Sequence, residues 1–125
     1  MVAFVIVSHS AKLAEGVIDL ARMSAPEVPM FAAGGLPDGS YGTSFEKITD
    51  AAGEAVMASG GDGVVILPDL GSAVMTAEMV LESLDFPNVK LADAPIVEAA
   101  VTGTVLSAAG SSLDEIMEEM KNCRG

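Results

Sequence analysis

The chain has 125 residues, which suits one domain, since a domain of this size buries about two-thirds of the surface that its unfolded chain exposes. Half of the residues are hydrophobic, but no apolar run approaches the roughly 20 residues that span a bilayer. With 18 acidic and 6 basic residues, the net charge of -12 disfavours nucleic acid and anionic membranes and favours electropositive protein partners, although it would also suit a salt-rich cytoplasm.

The two ends of the chain carry few signals of processing or cross-linking. Residues 1–7 have no basic segment ahead of their apolar run and no convincing cleavage site, so they predict a strand and not a signal peptide. Cys123 is the only cysteine, so the sequence offers no second cysteine for a disulfide within the chain. We therefore expect a cytoplasmic protein with a single domain over residues 1–125.

Short apolar runs alternate along the chain with longer segments in which apolar residues recur every three or four positions. The predicted strands, in chain order, are residues 3–7, 29–33, 63–67 and 89–92. The predicted helices begin near Ala11 and then cover residues 45–59, 73–84, 95–109 and 113–120. Strands that are almost continuously apolar and separated by helices are typical of a parallel sheet covered on both faces. The prediction is a doubly wound α/β fold, with a mainly parallel sheet and helices on both faces.

His9, the only histidine, follows the first predicted strand by two residues. In doubly wound sheets, ligands bind outside the carboxyl ends of the strands, so this position favours a functional role. An imidazole nitrogen can attack phosphorus and later leave, and the N-terminus of the helix near Ala11 favours the bound phosphate. We interpret His9 as a phosphoryl acceptor, with a solvated loop histidine as the alternative.

Asp69 follows the third predicted strand. Because parallel strands bring their carboxyl ends to the same edge, this carboxylate is expected to reach His9, fix its tautomer and orient it without reacting itself. The alternative is a turn aspartate that binds its own backbone. Gly71 permits a tight turn and Ser72 is a candidate N-cap for a helix from Ala73, and either residue can also contact phosphate.

The glycine-rich stretch 34–44 follows the second predicted strand and is expected at the same edge. It lacks the lysine of a Walker-type loop, and a dinucleotide fingerprint should follow the first strand, so we reject both nucleotide-binding interpretations. The simpler interpretation is a flexible loop in which Thr43 caps the next helix and Glu46 completes a capping box. Further candidates for phosphate contact are Ser10, Gly34, Gly35 and Thr43.

Other kinds of site find little support in the sequence. One histidine and scattered carboxylates do not form a metal-binding pattern, and no G-x-S-x-G elbow indicates a hydrolytic triad. The methionines with helical spacing are predicted to fill the core. They are Met75, Met79, Met117 and Met120.

Five segments, in order along nearly the whole chain, together resemble the DhaM family. They are residues 7–10 (Val-Ser-His-Ser), 34–35 (Gly-Gly), 42–44 (Gly-Thr-Ser), 69–73 (Asp-Leu-Gly-Ser-Ala) and 97–100 (Val-Glu-Ala-Ala). DhaM proteins are the phosphotransferase subunits of dihydroxyacetone kinases that depend on the sugar phosphotransferase system (PTS). The resemblance implies a mannose-type enzyme IIA-like domain that forms an α/β homodimer.

The same resemblance implies a relay. The phosphocarrier HPr donates a phosphoryl group to His9, which passes it to ADP, with magnesium, on the DhaL subunit, and the ATP phosphorylates dihydroxyacetone on DhaK. Asp69 matches the acidic residue beside the reactive histidine, the phosphoryl group sits on Nε2, and this chain itself binds no cofactor or metal. The alternatives are a IIA domain of a mannose-type sugar transporter and a regulatory module controlled by phosphorylation of His9.

Overall fold

The computed structural model of the protein describes residues 1–123, in which four parallel strands form one sheet. The strands are β1 (Ala3–Ser8), β2 (Met30–Gly34), β3 (Val64–Pro68) and β4 (Val89–Leu91). The helices are α1 (Ala11–Arg22), α2 (Phe45–Ser59), α3 (Gly71–Ser83), α4 (Ile96–Ala108) and α5 (Leu113–Met120). The strand order is β2-β1-β3-β4, and the predicted doubly wound α/β fold is confirmed.

Helices cover both faces of the sheet because successive strand residues point to opposite sides. On one side Phe4 and Ile6 of β1 pack with α1, α4 and α5. On the other side Val5 and Val7 pack with α2 and α3. Every residue of β1 and β3 is buried, which explains why their sequences are almost continuously apolar.

The contact between α4 and β1 depends on a glycine. A Cβ added to Gly103 would lie 2.6 Å from Cε of Met120 and 2.8 Å from the ring of Phe4. This close approach brings α4 and α5 onto the central strand.

The predicted capping box at the start of α5 is present, since the Ser112 hydroxyl accepts from Glu115 N–H and the Glu115 carboxylate accepts from Ser112 N–H.

The methionine prediction is correct for α5 and wrong for α3. Met120 is buried, whereas Met75 and Met79 expose 67% and 58% of their surface. The reason is that α3 packs on the sheet through small or branched residues one turn apart, which are Ala73, Ala77 and Val80. The two methionines lie on the outward side of the helix.

The strand order changes direction at β1, which lies between β2 and β3. Val7 is in register with Pro68 of β3 and with Ala33 of β2, and Asp69 N–H donates to the Val7 carbonyl oxygen at 3.0 Å. The residues that follow these strands therefore meet at the switch point, where ligands bind in folds of this class. Within residues 1–123, no helix is both long enough and apolar enough to cross a membrane.

Candidate functional site

His9 lies between β1 and α1, at the carboxyl edge of the sheet. Its side chain is 31% exposed, so the ring is open to a partner and still held by the protein. Nδ1 lies 3.0 Å from Oδ1 of Asp69, and Nε2 is in hydrogen-bond contact with Oγ of Ser72. The three side chains thus come together from the ends of β1 and β3 and the first turn of α3.

Asp69 is held by four donors, two on each oxygen. Oδ2 accepts from Ser8 Oγ at 2.9 Å and from His9 N–H at 3.1 Å, while Oδ1 accepts from Leu70 N–H at 2.7 Å and from His9 Nδ1. The side chain is only 8% exposed. Burial alone would raise the pKa of Asp69, but the hydrogen bonds from His9 N–H, Ser8, the His9 ring and Leu70 N–H together lower this pKa below its ordinary value. The carboxylate is therefore ionised at neutral pH.

An ionised Asp69 defines the tautomer of His9. A carboxylate only accepts hydrogen bonds, so Nδ1 must carry a proton, and in the neutral imidazole Nε2 then keeps its lone pair. The Ser72 hydroxyl then donates to Nε2. The contact at Nε2 is exposed, whereas the contact at Nδ1 is partly buried, so Nε2 lies on the solvent side of the ring.

Ser72 is not the N-cap that the sequence predicted. The α3 helix begins two residues earlier than expected, at Gly71, with Leu70 in the N-cap position and no side-chain cap. Ser72 is therefore inside the first turn, where its hydroxyl is free to contact His9. Gly71 is exposed, and a Cβ there would meet no atom within 4 Å, so close packing does not require a glycine at this position.

The loop 35–44 lies at the same edge, and its backbone is tied to the histidine. Gly35 N–H donates to the Ser8 carbonyl and Gly42 N–H donates to the His9 carbonyl, both at 3.0 Å. Gly35 has a φ of 69°, a conformation that favours glycine. A Cβ on Gly34 would lie 2.7 Å from the Ser10 carbonyl oxygen, so the two glycines allow β2 and its loop to approach α1 closely.

The predicted role of Thr43 as a helix cap is wrong. Ser44 is the N-cap of α2 and its side chain accepts from Lys47 N–H, while Thr43 Oγ1 lies 3.1 Å from Oγ1 of Thr76 on α3. Thr43 and Ser44 both have a hydroxyl that could cap a helix. A helix capped by Thr43 would begin at Ser44, but α2 begins at Phe45. Thr43 instead joins the loop to α3.

Ser10, beside His9, caps α1 and accepts from Leu13 N–H at 3.2 Å. Its hydroxyl is therefore directed at the helix and not at the imidazole. Among residues 1–123, no group of three or more His, Cys, Asp or Glu side chains is placed to hold a metal ion.

Ser8 is the residue of this network that sequence reasoning missed. It is fully buried, its hydroxyl donates to Asp69, and the same oxygen accepts from Ser10 N–H at 3.0 Å. Ser8 therefore links the carboxylate to the backbone at the start of α1. The available signal was a polar residue at the end of an otherwise apolar strand, next to the histidine.

We expect Ser8→Ala to weaken this network measurably. The change removes one donor from Asp69 and leaves Ser10 N–H without its acceptor, so the free energy of unfolding should fall by about 1–3 kcal/mol. The pKa of Asp69 should rise. Urea unfolding and a carboxyl NMR titration measure the two effects, with Ser24→Ala, at an exposed serine, as the control.

The loss of stability expected for Ser8→Ala should depend on pH. Because the pKa of Asp69 is lowered in the folded protein, its stabilising contribution is complete above the ordinary aspartate pKa of about 3.9 and is lost as pH falls through the folded value. The stability difference between wild type and Ser8→Ala should therefore narrow below about pH 4. An Asp69 pKa identical in the two proteins would contradict the role assigned to Ser8.

Most of the chain is similar to known proteins. Residues 3–117 match the family model EIIA-man, described as the PTS system fructose IIA component. The phosphotransferase subunit DhaM of the PTS-dependent dihydroxyacetone kinase of Lactococcus lactis is 35% identical over 117 residues, which cover 94% of this chain and 91% of that protein. The phosphoryl donor subunit DhaM of the PEP-dependent dihydroxyacetone kinase 2 of Listeria innocua is 34% identical, with 98% of each chain covered.

Some relatives are much longer. The phosphoryl donor subunit DhaM of Klebsiella michiganensis is 37% identical, and the match covers 98% of this chain but 27% of that protein. This chain therefore spans about a quarter of the length of that relative.

Solved structures show the same fold. A crystal structure of a protein of unknown function superposes with a TM-score of 0.86 at 28% identity, covering 100% of this chain and 97% of the other. The mannose/sorbose-specific IIA subunit of Enterococcus faecalis, at 16% identity and a TM-score of 0.58, shares the fold over 97% of this chain and 87% of its own. Family model and relatives agree, and the chain belongs to the PTS system fructose IIA component family, EIIA-man, in which it groups with the DhaM phosphotransferase subunits.

Proposed function

We propose that this chain is a cytoplasmic phosphocarrier that accepts a phosphoryl group from HPr on His9. Phospho-His9 then phosphorylates ADP bound on a DhaL subunit, and the ATP supports phosphorylation of dihydroxyacetone on DhaK. The observation that carries the proposal is the contact of His9 with Asp69 on one ring nitrogen and with Ser72 on the other, at the switch point of the sheet. The names of the DhaM relatives favour a dihydroxyacetone kinase over a sugar transporter.

The proposed phosphorylation is a nucleophilic displacement at phosphorus. The lone pair of His9 Nε2 attacks, the bond between phosphorus and the donor breaks, and its electron pair returns to the donor. The ring becomes positively charged, and the ionised Asp69 stabilises that charge through Nδ1–H. Asp69 does not itself accept the proton, since its pKa is lowered.

The second transfer reverses these steps towards a different acceptor. A terminal oxygen of ADP attacks the phosphorus of phospho-His9, the P–N bond breaks, and its electron pair returns to Nε2. Transfer of this kind depends on positioning and charge stabilisation more than on acid–base groups, which suits a site of three side chains. In this proposal the nucleotide and its magnesium belong to the DhaL partner, and this chain holds no cofactor of its own.

The groups that would receive the phosphoryl oxygens lie on α3. The Ser72 hydroxyl contacts Nε2 in the resting site and must turn aside when the nitrogen is modified, which leaves it beside the phosphoryl group. The first-turn N–H groups of α3, including those of Gly71 and Ser72, favour an anion at this end of the helix. Gly34, Gly35 and Thr43 would act indirectly, by holding the loop 35–44 against this edge. We also propose a homodimer, on the basis of the family.

Transfer to a nucleotide is the direct test of this function. The chain is labelled with enzyme I, HPr and phosphoenolpyruvate, separated from them, and mixed with DhaL that holds ADP and magnesium. We expect the label to move from the protein to ATP. Label that stays on the chain with DhaL but moves to a IIB domain of a sugar transporter would instead establish the transporter function.

A further inference from the structure

A pair of threonines joins α3 to the loop beside the histidine. Thr43 Oγ1 of the loop lies 3.1 Å from Thr76 Oγ1 on α3, and both residues are half-buried. Thr76 Oγ1 also donates to the Ser72 carbonyl oxygen at 2.9 Å. We propose that Thr76 is a positioning residue for phosphoryl transfer, which holds Ser72 against Nε2 of His9. This inference rests on the phosphocarrier function proposed above.

The directions of these hydrogen bonds follow from the number of protons. A threonine hydroxyl has one proton to donate and two lone pairs that accept. The proton of Thr76 goes to the Ser72 carbonyl oxygen, so Thr43 must donate in the contact between the two threonines. We call these two hydrogen bonds the threonine link. While the link is intact, neither threonine has a proton left for a phosphoryl oxygen, which favours a positioning role over direct contact with phosphate.

The loop that carries Thr43 is anchored to the histidine itself. Gly42 N–H, one residue before Thr43, donates to the His9 carbonyl oxygen at 3.0 Å. At the other end of the threonine link, the hydroxyl of Ser72 contacts Nε2 of the same histidine. The hydrogen bonds therefore close a ring that leaves the His9 backbone through the loop and returns to the His9 side chain. This ring restrains the imidazole at the nitrogen that Asp69 does not contact.

The first turn of α3 has few other restraints on its exposed side. Leu70 is an N-cap without a side-chain hydrogen bond, and the next residue is Gly71, whose backbone is intrinsically free. The buried Ala73 holds the turn to the sheet. Ser72 itself is exposed, so its orientation depends on the hydroxyl of Thr76 one helical turn further along.

The position of Ser72 should influence the rate of transfer. Its hydroxyl contacts Nε2 in the resting site and, in the proposed reaction, lies beside the phosphoryl group afterwards. Misplacement of a group in such a site by about 1 Å can slow a reaction roughly 10²-fold. The lone pair of Nε2 still forms the P–N bond while the bond to the donor breaks, and Thr76 gives up no proton. Loss of the threonine link should therefore slow the reaction without changing its products.

Removal of the hydroxyl at position 76 tests the threonine link. Thr76→Val keeps a β-branched side chain of nearly the same shape, and Thr76→Ser is the conservative variant that keeps the hydroxyl. Thr43→Val breaks the link from its other end should Thr76→Val fail to fold, which urea unfolding checks. The matched control is Thr102→Val, at a half-buried threonine of α4 on the other face of the sheet. Each variant is labelled by phosphorylated HPr and by phosphoramidate, a donor too small to use a docking surface.

Thr76→Val should lower the rate of transfer at saturating phosphorylated HPr by about tenfold. The HPr concentration that gives half of the maximal rate should not change, and the loss with phosphoramidate should be similar, because the defect lies in the site and not in binding of the donor. Thr43→Val should show a smaller loss, since the bond from Thr76 to Ser72 remains. Thr76→Ser and Thr102→Val should match wild type.

Two further measurements separate positioning through Ser72 from a general structural defect. In a Ser72→Ala background, which is itself slow, Thr76→Val should cause no further loss, because the group that it positions is gone. The single histidine also gives a single Nε2 signal in a ¹⁵N NMR spectrum. Loss of the hydrogen bond from Ser72 should shift this signal in Thr76→Val in the same direction as in Ser72→Ala.

An unchanged rate in Thr76→Val would overturn the proposal. So would an equal loss from Thr76→Val with and without the Ser72 hydroxyl, which would place the defect elsewhere in the fold. A raised requirement for HPr together with normal labelling by phosphoramidate would assign the threonines to partner binding instead. A wild-type protein that phosphoramidate labels and HPr does not would refute the phosphocarrier function, whereas the phosphoramidate rates of the variants would still decide the role of Thr76.

Discussion

His9→Ala should abolish phosphorylation of the protein. His9 is the only histidine of the chain, its Nε2 keeps a lone pair because Asp69 binds the proton on Nδ1, and the ring is accessible at the carboxyl edge of the sheet. Incubation with enzyme I, HPr and labelled phosphoenolpyruvate should label wild type to about one phosphoryl group per chain and leave His9→Ala at background. The measurement is the label retained on the protein after gel filtration.

The chemistry of the label distinguishes histidine from the neighbouring hydroxyls. A P–N bond to imidazole is lost in acid and survives in base, whereas phosphate on Ser10 or Ser72 would survive acid. His9→Gln is the second variant, since it retains a polar side chain of similar length, and urea unfolding of both variants checks the fold. An acid-stable label, or one that remains in His9→Ala, would remove His9 as the acceptor.

Much of the fold could be predicted because one physical rule determines it. Strands buried on both faces must be almost continuously apolar, and β1 and β3 have such sequences. Helices with strong caps were predicted with the right bounds, as for α5 with its Ser112 capping box. The start of α3 was not predicted correctly. Leu70 occupies its N-cap position without a side-chain cap, and no local sequence pattern signals such a start.

The approach of His9 to Asp69 follows from topology, since neighbouring parallel strands end at one edge. The orientation of individual side chains does not follow from topology. The Ser8 hydroxyl reaches Asp69 only because of the register between β1 and β3. Met75 has the helical spacing of a core residue, but the side of α3 that faces the sheet is decided by the packing of its alanines.

Asp69→Asn is expected to slow phosphorylation strongly while the sheet remains intact. An amide has one oxygen and one NH2 group, but all four groups around the Asp69 carboxylate are donors. Whichever way the introduced amide is turned, its NH2 faces a backbone N–H, either that of His9 or that of Leu70. One hydrogen bond to the backbone is lost in both orientations, which should lower the free energy of unfolding by about 1–3 kcal/mol.

The orientation of the amide also decides the tautomer of His9. With the NH2 group towards the ring, Nδ1 must accept the hydrogen bond, the proton moves to Nε2, and the lone pair needed for attack is lost. With the oxygen towards the ring, the tautomer is kept, but the positive charge that develops on the imidazole faces a neutral amide. We therefore expect the rate of phosphorylation from HPr to fall by roughly 10²-fold or more, a smaller effect than removal of the imidazole.

The pH profile separates this role from a purely structural one. In wild type, the lowered pKa keeps Asp69 ionised throughout the neutral range, so its support of His9 is lost only on acidification below the ordinary aspartate range. The amide of the Asp69→Asn variant does not ionise, so the difference in rate between the two proteins should narrow at low pH.

Asp85→Asn, which removes the same charge from an exposed residue at the opposite edge of the sheet, is the control. If Asp69→Asn and Asp85→Asn both matched wild type in rate at neutral pH, Asp69 would be a turn residue that binds its own backbone, and positioning of the histidine would have to come from Ser72 alone.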